Sequence, residues 1–214
     1  MKFFFTVLTS HLLTLSALSQ INALPIPKKK MLGVYNTTTA AIMPTVKENN
    51  YPYYDIGYPY PIYGNEKRMG FSFRNTTGYR FFDALNLGAG VGFDNYESTA
   101  INLPLYGEIS GNILNRRFTP IYYAQAGYGI GVNITEKDSQ NRIKKAEGGV
   151  MAAAGIGFGG RLDQHTILRI NFGYRLQKAS YTSEIEQYNM PPYIMVRHMT
   201  YHRVELGLSF TFQQ

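Results

Sequence analysis

The 214-residue chain has no cysteine and no tryptophan. Without cysteine there is no disulfide framework, no thiolate metal site, no cysteine nucleophile and no lipidated cysteine anchor. Without tryptophan the chain lacks the residue expected near the first strand of a lipocalin, the soluble barrel of opposite polarity. Beyond the N-terminal region no stretch approaches the eighteen apolar residues of a membrane-spanning helix. Charged residues are only 16% of the chain, so basic groups are scattered despite a net charge of +7, and nucleic-acid binding is disfavoured.

What is abundant is glycine, tyrosine and phenylalanine, at 21, 18 and 13 residues. Mean hydropathy is nonetheless slightly negative, at −0.22. A chain rich in aromatics but polar on average fits strands that face oil on one side and a polar lumen on the other.

The closing segment shows this most clearly. Val204, Leu206, Leu208, Phe210 and Phe212 alternate with Arg203, Glu205, Gly207, Ser209 and Thr211. A strict period of two is the signature of a half-buried strand. Similar alternation runs through residues 69–81, 85–95, 101–114, 119–134, 148–160 and 166–177. In residues 69–81 the apolar face is broken by Asn75 and Thr77. With the closing strand at about 200–212 this makes seven, and single-chain bacterial barrels have even numbers. Residues 31–43 are the preferred eighth strand, with Tyr193 to Val196 the weaker choice. Connections then alternate between long ones (44–66, 135–147, 178–199, and a shorter one near 96–100) and short ones (82–84, 115–118, 161–165). The expected fold is all-β: an eight-stranded antiparallel transmembrane up-and-down β-barrel.

Met1–Ser19 reads as a secretory signal peptide. Lys2 precedes an apolar core from Phe3 to Leu15, and Ala17-Leu18-Ser19 supplies small residues for cleavage. Residues 20–30, with Lys28-Lys29-Lys30, read as a solvated periplasmic leader, and 31–214 as the barrel.

An eight-stranded barrel has interior room only for side chains. The inward polar set is Arg74, Arg80, Glu108, Gln125, Arg169, Arg175, Arg203 and Glu205. Unpaired buried charge is costly, so Glu108 and Glu205 are expected to sit among the arginines. A plugged, ion-paired core is preferred over a gated pore.

Certain residues carry a family resemblance: Gly78-Tyr79-Arg80-Phe81, Leu87-Gly88-Ala89-Gly90-Val91-Gly92, Pro104-Leu105-Tyr106, Ala126-Gly127-Tyr128-Gly129, Gly173-Tyr174-Arg175 and the closing strand. Over residues 31–214 the chain resembles the small outer-membrane β-barrels of Bacteroidetes-type bacteria, with OmpA/OmpX-like architecture. The resemblance implies a Gram-negative outer membrane, with lipids and the barrel assembly machinery as partners. Glu205, Gly207, Phe210 and Phe212 would form the assembly signal, although Gln213-Gln214 departs from barrels that end on the aromatic.

Chemistry-bearing groups are sparse. His198 and His202 are four apart, a spacing that aligns ligands on a helix, whereas this stretch reads as loop running into strand. No metal or cofactor is expected. Ser180 or Ser183 would meet His198 only through loop proximity, so no enzymatic role is expected. The proline-interrupted segment with Tyr51, Tyr53, Tyr54, Tyr58, Tyr60 and Tyr63 reads either as an aromatic loop against the membrane rim or as a surface for a glycan or protein ligand. The loop 136–147, with Lys137, Arg142, Lys144 and Lys145, reads as solvated, with lipopolysaccharide phosphate as the other choice. The expected role is structural, adhesive or partner-docking through long extracellular loops. The alternatives are a narrow ion-conducting pore and a lipid A-modifying enzyme.

Overall fold

The structure is a computed structural model that describes residues 32–54, 69–97, 100–114, 116, 118–133, 141–185 and 193–213. The signal peptide and leader expected over 1–30 lie outside these residues. Nine strands are present: β1 (Gly33–Tyr54), β2 (Met69–Phe82), β3 (Leu85–Glu97), β4 (Ala100–Asn112), β5 (Phe118–Asn133), β6 (Asn141–Glu147), β7 (Gly149–Arg161), β8 (Thr166–Ile185) and β9 (Tyr193–Gln213). Every pairing is antiparallel, and the sheet closes because β9 pairs with both β1 and β8.

β6 and β7 are one stave interrupted at Gly148. Both lie on β8, with Glu147 opposite Ser180 and Met151 opposite Gln177. Nine strands with two of them collinear give an eight-stave barrel. Gly148 is required at the break, since a Cβ there would lie 1.4 Å from the Gly129 carbonyl oxygen. The chain thus approaches its neighbour more closely than any side chain permits.

Alternation sets the faces. Ile156, Phe158, Ile170 and Phe172 are each more than half exposed, while Arg80, Arg175, Arg203 and Asp94 have no exposure at all. This inversion of the soluble pattern yields a broad outer apolar belt, far beyond the patch a soluble monomer exposes. On β8 the belt runs from Leu168 to Leu176 through Ile170, Phe172 and Tyr174, matching the 9–11 residues of a tilted membrane strand.

The first strand lies where the preferred sequence reading put it, but it is longer. β1 runs 22 residues rather than stopping at 43, and Pro52 pairs in register with Arg197. Proline is tolerated so far up the stave because, among the described residues, β1 has one neighbour there: β2 pairing ends at Pro44. Tyr193 to Val196 is the upper end of β9, not a separate strand. The long connections shrink accordingly. Residues 141–147 of the expected loop are β6, and 178–185 continue β8. The result is an asymmetric rim. β1, β8 and β9 have 22, 20 and 21 residues, whereas β2, β3 and β4 have 14, 13 and 13.

Candidate functional site

The lumen is filled from wall to wall by the inward polar set. All eight expected residues are buried there. At its centre Glu205 on β9 accepts from Arg74 on β2 and, at 3.1 Å, from Arg175 Nε on β8. Arg175 Nη1 donates to Asp94 Oδ2 at 2.6 Å, and its Nη2 to Gln125 Oε1 at 3.1 Å. Arg74 Nη1 donates to the same Gln125 oxygen at 2.6 Å. These bonds cross the barrel, since β3 and β8 stand four staves apart in a ring of eight. Tyr123 reaches Glu205 Oε1 at 3.3 Å by lying over Gly173, where an added Cβ would meet its hydroxyl at 2.1 Å.

Glu205 meets the expectation of a carboxylate among arginines. Glu108 meets it only in part: its hydrogen bond comes from Gln125 Nε2 at 2.7 Å, and Arg169 acts on it through electrostatic proximity. The acid that completes the network is Asp94, which the sequence reading placed on the polar face but outside the charged set. It stands near the end of β3, close to the connection to β4. Between Thr37, Thr39, Glu108, Gln125, Arg169 and Ser209 a polar cavity of about 20 Å³ remains, the size of a single water.

Below this layer Arg80 Nε donates to Asn86 Oδ1 at 2.9 Å and Nη1 to Gln213 Oε1 at 3.2 Å. The penultimate glutamine thus extends the closing strand and caps a luminal arginine. Phe210 and Phe212 face outward.

Above the charged layer the lumen turns apolar. Met43, Tyr96, Ile143, Ala179, Tyr181, Met199 and Tyr201 form a buried cluster. Tyr96 and Tyr201 stack at 4.8 Å, and Arg203 lies 5.6 and 5.5 Å from their rings while pairing with Glu48 and Thr45. Sequence alternation missed this cap because Tyr96, Ile143, Ala179, Tyr181 and Met199 fall in segments read as loops, while Met43 and Tyr201 lie at the ends of expected strands. The usable signal was a continued period of two through Ala179, Tyr181 and Ser183.

On the outer face of the tall rim His198 and His202 both lie on β9, so the part of this stretch read as loop, up to 199, is strand as well. Ser180 Oγ and His198 Nδ1 are 3.0 Å apart, brought together by strand register rather than by loop proximity. Glu147 stands opposite Ser180 on the other side and its carboxylate pairs with Lys145 at 2.5 Å. The order is acid, serine, histidine, whereas nucleophile activation needs the histidine in the middle. Among the described residues no group of three or more histidine, aspartate or glutamate side chains is placed to hold a metal. Tyr51, Tyr53 and Tyr54 lie on β1, and Tyr58, Tyr60 and Tyr63 lie outside the described residues.

Comparison with solved structures bears on the fold. The outer membrane protein OprG from Pseudomonas aeruginosa matches with a TM-score of 0.55 at 11% identity, over 86% of this chain and 98% of that one. The fold is that of an outer-membrane β-barrel. Neisserial surface protein A aligns over 85% of this chain and 97% of its own at 16% identity, with a TM-score of 0.49. The outer membrane protein AlkL aligns over 90% and 96% at 15% identity, with a TM-score of 0.40. No protein-family model and no curated protein matches the sequence. The outer-membrane barrel fold accounts for the oil-facing belt and for the short turns at one end and long staves at the other.

Proposed function

We propose that this chain is a plugged, non-catalytic barrel of the bacterial outer membrane, exported by a cleaved signal, whose elongated staves present a docking surface outside the cell. The observation behind this reading is the crossing of the lumen by Arg175 to Asp94 beneath a buried apolar cap. A lumen spanned by charge pairs and closed by stacked tyrosines favours a scaffold over a pore. Investment in the rim supports the same role: β1, β6, β8 and β9 rise beyond what a membrane span needs. In this reading membrane lipids surround the belt, and the assembly machinery reads Glu205, Gly207, Phe210 and Phe212. A surface glycan or protein binds the rim and the connections above it.

The Ser180–His198 contact is the one observation that favours a second reading, a lipid-modifying enzyme. The position of Glu147 on the serine side weighs against it. The test uses the folded chain in lipid nanodiscs, intact or with residues 134–140 and 186–192 replaced by Gly-Ser linkers, against immobilised glycans and extracellular-matrix proteins. Binding that is lost on replacement supports the docking role. Release of fatty acid from lipid A, abolished by His198→Ala, contradicts it.

A further inference from the structure

The outer belt carries a polar island. Asn36 and Thr38 on β1 and Asn75 and Thr77 on β2 all face outward, within the apolar surface. They are neither strand ends nor girdle residues. Their register neighbours are Phe212 and Phe210 on β9 and Val91 and Ala89 on β3. Along β2 the island lies between Phe73 on one side and Tyr79 and Phe81 on the other, all exposed. Polar side chains facing hydrocarbon are costly, and those retained there mark a site of action.

The island is bonded internally in a way that leaves a defined remainder. Asn36 Nδ2 donates to Asn75 Oδ1 at 2.9 Å and to Thr77 Oγ1 at 2.8 Å. Asn75 Nδ2 donates to Asn36 Oδ1 at 2.9 Å and to Thr38 Oγ1 at 3.0 Å. Both amide groups have thus spent their donors. Each threonine hydroxyl accepts once and keeps its O–H, and each asparagine oxygen keeps a second lone pair. Two O–H donors and four acceptor lone pairs, one on each asparagine and each threonine oxygen, remain, uncharged and pointing into the membrane.

We infer that this face is a lateral interface with a second copy of the same chain, related by a two-fold axis. A remainder that holds both donors and acceptors lets each hydroxyl find an acceptor on the same patch of a second copy, which is what an isologous contact requires. Anionic headgroups fit poorly, because the island carries no cation. Interchain hydrogen bonds and close packing, not burial from water, hold membrane contacts together. Beside the island an open groove of about 690 Å³ runs between Phe71, Phe73, Ile42, Leu206 and Leu208 over the small Ala40, with room for an aromatic ridge of the second copy. The inference depends on the membrane placement of the belt but not on what the rim binds.

The absence of cysteine makes the test direct. Thr77→Cys is introduced into the full chain, assembled in a Gram-negative host, and oxidised in isolated outer membranes. Ile109→Cys and Ile156→Cys, at exposed belt positions on β4 and β7, serve as controls. A disulfide-linked dimer of Thr77→Cys, well above both controls, is expected. Adding Asn36→Leu and Asn75→Leu should lower that dimer to the control level while the heat-dependent gel shift of the folded barrel persists. If the leucine variant loses the gel shift, Thr38→Val, which is isosteric and removes one hydroxyl, carries the same test and should weaken the dimer. Cross-linking no stronger than the controls, or undiminished by these substitutions, overturns the inference. So does native mass spectrometry that finds a monomer holding a phospholipid at this face. Loss of the gel shift in the Thr77→Cys parent would instead count against the membrane barrel itself.

Discussion

Arg175 on β8 and Asp94 on β3 join opposite walls of the barrel, with Nη1 to Oδ2 at 2.6 Å and neither side chain exposed. The same guanidinium also holds Glu205. Removing one member of a buried pair leaves an uncompensated charge and costs about 3 to 5 kcal/mol. Arg175→Met removes the Asp94 ion pair and leaves Glu205 to Arg74, so it should lower stability against urea in lipid vesicles by about that range. Asp94→Asn added to it should recover part of the loss. A double mutant whose loss equals the sum of the Arg175→Met and Asp94→Asn losses would show that the two residues act independently.

Gly148 joins β6 to β7 by passing 1.4 Å, measured from a notional Cβ, from the Gly129 carbonyl oxygen. Gly148→Ala must displace one strand, at a cost of about 1 to 3 kcal/mol. The displacement should free the upper stave and spare the lower. Amide exchange should quicken across residues 141–147 and stay slow across 151–161.

Asp163 in the β7–β8 turn accepts from the backbone amides of His165 and Thr166, each at 2.7 Å. The His165 amide is the main cause that holds its carboxyl below the ordinary value of 3.8. The folded pKa is depressed, so the turn's contribution is present above the unfolded value and is lost as pH falls through the folded one. The Asp163 carboxyl carbon should therefore titrate by NMR below 3.8, with the Thr166 amide moving in step. Asp163→Ala should remove the Thr166 transition.

Much of the architecture was legible because period-two alternation is unusually strict where a stave separates oil from a filled lumen. Leu168 to Gln177 and Val204 to Phe212 fix their faces without help. β1 was harder, since Asn36 and Thr38 place polar groups on the oil side and blur the pattern. The tall rim was not legible as strand: beyond the membrane neither face needs to be apolar, and prolines such as Pro52 read as breaks. Of the luminal network, the eight inward residues followed from alternation, but who pairs with whom did not. The stagger between staves brings Asp94 level with Arg175, and that stagger is a property of the closed ring.

A closed ring of staves with a filled lumen should not conduct ions. Single-channel recording of the folded chain in planar bilayers tests it most directly. The wild-type chain should show no steady conductance, and openings should need both closures removed, as in Arg74→Ala with Arg175→Ala and Tyr96→Ala with Tyr201→Ala. Steady ohmic steps from the wild-type chain, with ion selectivity that changes on Arg169→Ala, would contradict it.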